Sequence, residues 1–428
     1  MTGALIITGQ VLSFTASPFD EGPDAARLDE AVLVENGLIR AVGRLSDLRE
    51  MARHAQIEHR DGQFISAGFV DAHAHYPQTA IIASWGKRLI DWLESYTFPE
   101  EMRFEDPIYA AKIAQRYLDL VISNGTTTVA SFCTTHPTSV TAFFATAAER
   151  NMRVVGGKTC MDRNAPTALL DTAQRAYDDS KALLQRWHGR GRATYAITPR
   201  FSPTSSPDQL SALGALRAEH PDCLMQTHLS EQPEEVAWVK SLFPNARDYL
   251  DSYEAHGLLD ARAVFGHAIH LTKRERARLR ETGAALVHCP TSNSFIGSGL
   301  FDMAARAAEA QVIGLATDTG GGSSFSMLRT MAAAYEIAQL SGHALHPSQL
   351  WWLATAGSAR ALHLEHKIGN ILPGHEADLI AIDPASVPAI RQRQEQAGDI
   401  WESVFPTIMM GDDRTIAQVW IAGQAQYP

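Results

Sequence analysis

Side chains that can bind a metal recur along this chain, each at the end of a short apolar segment. His73 and His75 close the segment GFVDAHAH, and alternate residues of a strand share a face, so both imidazoles can bind one cation. His228 in QTHLSE, His267 in VFGHAIH and Asp318 in IGLATDTGG end later segments of the same kind. A single histidine of this sort is more often a packed or surface residue than a ligand. The series predicts one metal site at a barrel rim.

The predicted metal ligands are His73, His75, His228 and Asp318. Three imidazoles and one carboxylate suit Zn²⁺ and can also hold Fe²⁺. We expect a divalent ion with one position open to water. Such an ion lowers the pKa of bound water from about 15.7 to about 7, which provides hydroxide at neutral pH.

Two further residues are predicted to assist this chemistry. Glu231 follows His228 by three residues and can carry protons, whereas without a neighbouring ligand it would be read as a solvated glutamate at a helix start. His267 is interpreted as a base that orients the hydroxide, with a fifth ligand or a core histidine as alternatives. Asp318 is expected to orient the attacking oxygen as well. The predicted catalytic set is therefore Glu231, His267 and Asp318.

A barrel is predicted because strand-like and helix-like segments alternate over about 300 residues, a pattern typical of a (β/α)₈ fold. Helical spacing of apolar residues is clear in DPIYAAKIAQRYLDLVISNG and SVTAFFATAAERN. The active site of such a TIM barrel lies at the carboxyl ends of the strands. The eight strand-like segments are Phe69–Asp71, Thr126–Phe132, Val154–Lys158, Tyr195–Pro199, Leu224–His228, Ala263–His267, Ala284–His288 and Ile313–Asp318.

The two ends of the chain read as short strands separated by turns. Asn36-Gly37 lies between apolar runs and predicts a type I′ hairpin. The segment KIGNILPGHEADLIAIDP near the other end also contains strand-like runs separated by Gly, Pro and Asp turns. We therefore expect an α/β protein with two domains. Residues 1–66 and 367–428 form a small β-sandwich domain, and residues 67–366 form the metal-dependent hydrolase barrel.

Composition narrows the functional class. The chain has 428 residues, 45% of them hydrophobic and 20% charged, an ordinary globular balance. A net charge of −11 without basic clusters argues against a nucleic-acid polymer as partner. The four cysteines lack CxxC spacing, which is typical of reduced thiols, and no signal peptide or membrane-spanning segment is recognisable. We expect a cytoplasmic protein that does not bind membranes.

Several motifs along the whole chain resemble those of the guanine deaminases, a family within the amidohydrolase superfamily. HAH, His228, His267 and Asp318 carry the resemblance to the superfamily. The narrower resemblance rests on YTFPEE, MDRNAP and TPRF, supported by THLSE, HCPTSNSFIGSG and ATDTGGGSSFSML. Relatives with two metals need a lysine on the fourth strand, which here reads YAITPRF, so the resemblance implies one Zn²⁺ per chain, with Fe²⁺ as an alternative.

The resemblance also implies how substrate is bound. Gln78, Arg200 and Phe201 would hold a purine beside His75, His228 and Glu231. The residue types agree, because an arginine offers a planar fork of donors to O6 and N7 of guanine, and a glutamine adds a donor and an acceptor. A surface salt bridge is the commoner fate of an arginine, but Arg200 directly follows a strand and so faces the barrel mouth.

The implied reaction is hydrolytic deamination of guanine to xanthine and ammonia in purine catabolism. A zinc-activated hydroxide would attack C2 while Glu231 shuttles the proton, and no organic cofactor is needed. A homodimer is expected. An apolar insert after the first barrel strand would form a lid over the pocket or, alternatively, a dimer contact; it contains Trp85, Leu89, Trp92, Tyr96 and Phe98.

Two alternatives remain. The first is a related aminohydrolase acting on an s-triazine, a modified guanine or an adenosine-type thioether nucleoside, which the barrel and the metal do not separate from a guanine deaminase. The second is a barrel that has lost its chemistry, which the complete ligand set disfavours. The zinc deaminase design with H-x-E and P-C-x-x-C is excluded because the sequence contains no CxxC. The sequence leaves the roles of His136, Cys133 and His270 open.

Overall fold

A computed structural model describes residues 3–86 and 88–427. The strands in these residues are β1 Leu5–Phe14, β2 Ala26–Glu35, β3 Leu38–Gly43, β4 Gln56–Ala67, β5 Phe69–His75, β6 Thr126–Phe132, β7 Arg153–Gly157, β8 Thr159–Cys160, β9 Ala193–Pro199, β10 Leu224–Leu229, β11 Ala263–His267, β12 Ala285–His288, β13 Val312–Leu315, β14 Leu379–Ile382, β15 Ile416–Ile421 and β16 Gln424–Tyr427.

The α-helices connect these strands, and most of them lie between successive strands of the barrel. They are α1 Pro18–Glu21, α2 Leu45–Met51, α3 Leu89–Trp92, α4 Phe98–Met102, α5 Pro107–Ser123, α6 Pro137–Glu149, α7 Ala173–Trp187, α8 Pro207–Glu219, α9 Pro233–Leu242, α10 Asp251–Glu254, α11 Lys273–Thr282, α12 Pro290–Phe295, α13 Met303–Ala308, α14 Met327–Leu340, α15 Pro347–Trp352, α16 Ser358–Ala361, α17 Pro388–Gln394 and α18 Ile400–Met410. No helix within residues 3–86 and 88–427 is both long and apolar enough to span a membrane.

Eight strands form a parallel barrel sheet in the order β5, β6, β7, β9, β10, β11, β12, β13, and the short β8 pairs with β9. The predicted (β/α)₈ barrel is confirmed. Parallel neighbours need crossover connections, and the amphipathic α5 is one of them: Asp106 caps it, Pro107 begins it, and Ile113, Tyr117 and Val121 are buried on one face.

The two ends of the barrel sheet meet through the loop after β13. The Asp318 N–H donates to the His73 carbonyl at 2.9 Å, and the His75 N–H donates to the Thr319 carbonyl at 3.1 Å. The buried Asp71 carboxylate also accepts the Thr317 N–H at 3.0 Å and the Thr317 hydroxyl at 2.5 Å. These bonds bring the last predicted metal ligand beside the first two.

The end of the last barrel strand was predicted incorrectly. The sequence pattern placed a strand over Ile313–Asp318, but β13 ends at Leu315. Asp318 has a φ of 48°, in the left-handed region that a strand cannot use. Asp318 therefore projects from a loop, and the side chain can turn into the barrel mouth.

The two termini form a second sheet of seven strands, in the order β16, β15, β14, β4, β1, β2, β3. The predicted pairing of the chain ends is confirmed, since β14 runs antiparallel to β4 and β4 runs parallel to β1. Asn36 and Gly37 both have positive φ, 54° and 80°, as a type I′ turn between β2 and β3 requires. The division into residues 1–66 with 367–428 and residues 67–366 stays a prediction.

Candidate active site

The predicted metal ligands converge at the carboxyl ends of β5 and β10 and in the loop after β13. The Nε2 atoms of His75 and His228 are 3.1 Å apart. Asp318 Oδ1 lies 3.4 Å from His75 Nε2 and 3.6 Å from His73 Nε2. Donors around a tetrahedral zinc, each about 2.0–2.1 Å from the ion, are about 3.3 Å apart. The measured separations fit one shared divalent ion.

The protonation of these imidazoles also fits a metal. Burial lowers the pKa of His73, His75 and His228 well below 6.5, so the rings are neutral and each keeps a free lone pair. His228 donates its Nδ1–H to the Arg200 carbonyl at 2.6 Å, which leaves Nε2 free to bind. His73 Nε2 is buried without a hydrogen-bond partner. A buried nitrogen of this kind needs a partner, and a cation supplies one.

Glu231 lies beside this cluster and is almost completely buried. Burial raises its pKa to about 7, and the Ser298 hydroxyl, which donates to Oε1 at 2.8 Å, opposes the rise. The loop that carries Glu231 is held by Glu235 in α9. Glu235 Oε2 accepts the N–H groups of Glu231 and Gln232 at 2.8 and 3.1 Å. The carboxyl group is therefore fixed in place, with a pKa suited to gaining and losing a proton near neutrality.

His267, at the end of β11, completes the ring of polar groups. Its Nε2 is 3.6 Å from Glu231 Oε2 and 3.7 Å from Asp318 Oδ2. The Nδ1–H donates to Asn293 Oδ1 at 2.8 Å, which fixes the tautomer with a bare Nε2 facing the other two groups. His267 has a φ of 65°, rare for a residue with a side chain. The backbone of His267 is thus held in an energetically unfavourable conformation, and this conformation directs its imidazole toward Glu231 and Asp318.

The cluster opens into a cavity with about 410 Å³ of empty space, part of which is open to solvent. Its other wall is apolar and comes from an insert between β5 and α5, residues 89–102, which we call the cover helix; a π-helical turn, Leu93–Thr97, interrupts it. Leu89 and Trp92 line the cavity, while Trp85 is 77% exposed. The cavity is lined by His75, Gln78, Leu89, Trp92, Leu93, Arg200, Phe201, His228, Glu231, His267, Ile296, Asp318 and Gly321.

The predicted substrate residues line the same cavity. Arg200 and Gln78 are buried and lie against one carboxylate, that of Glu101 in the cover helix. Arg200 Nη1 donates to Glu101 Oε2 at 2.7 Å, and Gln78 Nε2 donates to Glu101 Oε1 at 3.0 Å. Phe201 packs edge-on against His228, with ring centroids 6.4 Å apart. The cavity therefore offers guanidinium donors, an amide oxygen and an aromatic wall to a flat polar ring.

Sequence reasoning missed the supporting residues Glu101, Asn293 and Ser298. All three lie inside motifs quoted for the resemblance, Glu101 in YTFPEE and the other two in HCPTSNSFIGSG, so that signal was present, but nothing local shows which group each one faces. Of the residues left open, His270 Nε2–H donates to the Ser298 carbonyl at 2.8 Å. Cys133 is buried, and His136 Nε2 is buried without a hydrogen-bond partner. Neither lines the cavity.

Two groups near the site are not expected to bind metal. Cys289 lies within ligand distance of His73, His267 and Asp318, but burial raises the pKa of its thiol well above 9, and the thiol faces the Val287 carbonyl. Lys158 is fully buried, and its ammonium group pairs with Asp171. A thiolate is the form that binds metals, so a protonated Cys289 is a poor ligand.

Comparison with known proteins identifies the family. The family model described as "Amidohydrolase family" matches residues 64–425. The guanine deaminase of Escherichia coli (strain K12) is 41% identical over 400 residues, which covers 93% of this chain and 91% of that protein.

Solved structures are similar over the full length. The structure of E. coli guanine deaminase superposes with a TM-score of 0.96 at 39% identity, covering 100% of this chain and 99% of that one. A guanine deaminase from C. acetobutylicum, with guanine bound in its active site, superposes with a TM-score of 0.91 at 28% identity, covering 99% and 100%.

Proposed function

The chain belongs to the amidohydrolase family, and from that premise we propose that it is a guanine deaminase, which hydrolyses guanine to xanthine and ammonia. The observation that carries the proposal is the arrangement of one cavity. One side of the cavity is formed by Glu231 and by the cluster that could bind a metal. The other side contains Arg200 and Gln78, the two side chains that could hydrogen-bond to a purine base. The similar proteins from E. coli and C. acetobutylicum, the second with guanine in its active site, support the choice of substrate.

One divalent ion per chain, Zn²⁺ or alternatively Fe²⁺, would be held by His73, His75, His228 and Asp318. The chemistry that such an ion supplies when bound is a nucleophilic oxygen at neutral pH, because it lowers the pKa of a water ligand from about 15.7 to about 7. His267 Nε2 lies 3.7 Å from Asp318 Oδ2, and these two side chains would orient the attacking oxygen.

Glu231 would move the protons of the reaction. The ionised carboxylate takes the proton of the attacking water and delivers it to the ring nitrogen next to C2. It then takes the proton of the new hydroxyl at C2 and gives it to the amine, so that ammonia departs and the C2 carbonyl of xanthine forms. A pKa of about 7 leaves Glu231 able both to accept and to donate near neutral pH.

Arg200, Gln78 and Phe201 would bind the base beside His75, His228 and Glu231. The free N–H groups of Arg200 match the adjacent acceptors O6 and N7 of guanine. Gln78 donates through Nε2 to Glu101, so its Oε1 is left to accept from a ring N–H. Adenine presents an amino group where guanine has O6, which would leave Arg200 donors unpaired. Unpaired buried donors cost about 1–3 kcal/mol each, so adenine should be rejected strongly.

The reaction would belong to purine catabolism. We further propose that the enzyme is cytoplasmic and works as a homodimer on a free small molecule, without a nucleic-acid polymer or a membrane as partner. The cover helix would act as a lid that excludes bulk water from the cavity.

The test is a spectrophotometric panel of guanine, 8-oxoguanine, ammeline, cytosine and adenine, run on protein whose metal content has been measured. Guanine should give the highest kcat/KM, at about one tightly held ion per chain. A clear preference for ammeline, an s-triazine, would assign the chain to the alternative aminohydrolase class. Two tightly held ions would contradict the single site. Gel filtration with light scattering would test the dimer.

A further inference from the structure

The cover helix does more than close the cavity, because it also carries a carboxylate that touches both base-reading side chains. Glu101 is 1% exposed, and each of its oxygens has a different partner: Oε2 accepts from Arg200 at 2.7 Å, and Oε1 accepts from Gln78 at 3.0 Å. We infer that Glu101 is a positioning residue that sets the donor and acceptor pattern with which Arg200 and Gln78 read the base. This inference rests on the proposed function.

The charge balance supports this role. Arg200 is 4% exposed and lines the same cavity as His75 and His228. A buried cation beside a site for a divalent ion is costly unless an anion neutralises it. The carboxylate of Glu101 makes the only ion pair that Arg200 forms with the residues described, 3–86 and 88–427. Glu101 therefore makes it possible to hold a guanidinium next to the metal site.

The geometry shows what each side chain has left for a substrate. One of the five N–H groups of Arg200 is used by Glu101, and the guanidinium carbon lies 5.7 Å from the ring centre of Phe98. Phe98 and Glu101 are three residues apart in the cover helix and so share a face. Both residues contact the guanidinium of Arg200 from this face. Gln78 is held with its nitrogen toward Glu101 and its oxygen free. The site thus presents donors from Arg200 and an acceptor from Gln78.

The Glu101→Gln substitution would disrupt the contacts that hold Arg200 and Gln78. The new amide keeps the shape but loses the charge, and its NH₂ group faces one partner donor-to-donor. Either the Arg200 pair or the Gln78 bond is then lost, and Gln78 can rotate to present its NH₂ group to the base. We expect weaker binding of guanine and a relaxed choice between guanine and bases that carry an amino group in place of O6.

The closest control lies one residue away. Glu100 is 5% exposed on the same helix, but its carboxylate binds Arg103 at 3.0 Å and the Tyr109 hydroxyl, and it does not line the cavity. Glu100→Gln removes the same charge from the same helix without touching the base-reading pair. A general loosening of the helix would affect both variants alike.

Steady-state kinetics on the metal-loaded enzyme separate the possibilities. Glu101→Gln should keep the metal content and raise KM for guanine about 10- to 100-fold, the range for losing a hydrogen bond to a charged group, with a smaller change in kcat. Glu101→Asp should recover part of the loss, since it keeps the charge, and Glu100→Gln should match wild type. Equal KM values for Glu101→Gln and wild type would overturn the inference.

A double-mutant cycle tests whether Glu101 acts through Arg200. In an Arg200→Met background the carboxylate of Glu101 has lost its cation, so adding Glu101→Gln should be neutral or should restore some activity. The same fold-loss from Glu101→Gln in both backgrounds would show that Glu101 acts independently of Arg200 and would overturn its role in positioning Arg200.

A crystal structure of the metal-loaded Glu101→Gln enzyme without substrate keeps this test separate from the proposed function. The guanidinium of Arg200 should leave its wild-type position, or the amide of Gln78 should move or turn so that its hydrogen-bond partners place the NH₂ group toward the cavity. Both groups in their wild-type position and orientation would overturn the inference whatever the substrate. Displaced groups, together with a wild-type enzyme that does not deaminate guanine, would instead overturn the proposed function and leave Glu101 as the residue that positions them.

Discussion

Glu231 combines burial, a raised pKa and fixed neighbours at a single residue. Burial favours the protonated carboxyl, while the Ser298 hydroxyl favours the ionised one, and the result is a pKa of about 7. His267 Nε2 lies 3.6 Å from Glu231 Oε2. These features are those of a group that alternately accepts and donates a proton.

Glu231→Gln should therefore retain the fold and the metal but lose most of the turnover. The amide fills the same space yet cannot carry the proton, and general acid–base groups contribute about 10²- to 10⁴-fold in rate. Because Glu231 would serve at least two steps, we expect a loss in kcat near the upper end of that range. The measurement is kcat for guanine at equal metal content. A variant that keeps more than about a tenth of the wild-type kcat would remove Glu231 from the role of principal shuttle.

Ser298→Ala should move the acid limb of the pH profile. The hydroxyl donates to the ionised carboxylate and so lowers the pKa of Glu231, and removing it should raise that pKa. Glu231 must be ionised to accept a proton, so the pH of half-maximal kcat/KM on the acid side should shift upward. Ser341→Ala, an exposed residue after α14, serves as control. A shift to lower pH would show that Ser298 does not stabilise the carboxylate.

At the scale of elements, close packing inside the barrel positions the predicted metal ligands. Gly266 on β11 lies directly against His73 on β5, and a Cβ at this position would come within 2.7 Å of His73 Cε1 and 2.9 Å of Nδ1. Real Cβ contacts are not that short, so one group must move. The first ligand thus depends on a glycine on a distant strand.

Gly266→Ala should consequently weaken metal binding, by about 10- to 100-fold if the displaced imidazole behaves like a ligand that has lost its supporting contact. Titration of the metal-free protein with Zn²⁺ measures the effect directly. In Gly398→Ala the new Cβ meets nothing nearer than 3.7 Å and should leave the affinity unchanged. If Gly266→Ala bound zinc with wild-type affinity, β11 would have shifted to make room for the new Cβ. Contact with position 266 would then not determine the position of His73.

Across the whole molecule, buried charges join the terminal sheet to the barrel at the end opposite the cavity. Arg153 begins β7 and Arg192 precedes β9, so both lie at the amino ends of barrel strands. Arg153 Nε and Arg192 Nε donate to Glu376 Oε2 at 2.8 and 3.1 Å, and Arg192 also pairs with Asp378. Both carboxylates lie just before β14, the strand with which the chain re-enters the terminal sheet.

Glu376→Ala should lower the free energy of unfolding by roughly 3–5 kcal/mol, because it leaves buried Arg153 without its partner. KM for guanine should be unchanged, since the network is remote from the cavity. Chemical denaturation gives the first quantity and kinetics on the folded enzyme give the second. Glu365→Ala, at an exposed position, should change neither. A loss of activity without a loss of stability would indicate a functional link between the two sheets.

Local sequence patterns determined much of this protein. Apolar segments that end in His73, His228 or His267 predicted both the strands and the residues of the candidate site, because strand periodicity and the rim position of barrel active sites depend only on local order. Asn36-Gly37 predicted its turn because that turn requires positive φ at both residues. The fold class and the convergence of the ligands therefore followed from the sequence.

The tertiary structure decided which distant groups face each other. Glu101 lies 23 residues from Gln78 and 99 from Arg200 in the chain, and no local pattern shows that one carboxylate meets both. Asn293 could be assigned to His267 only once β11 and α12 were placed side by side. Partners of this kind depend on the direction of side chains across packed elements, which is set by the closure of the whole barrel and not by any single segment.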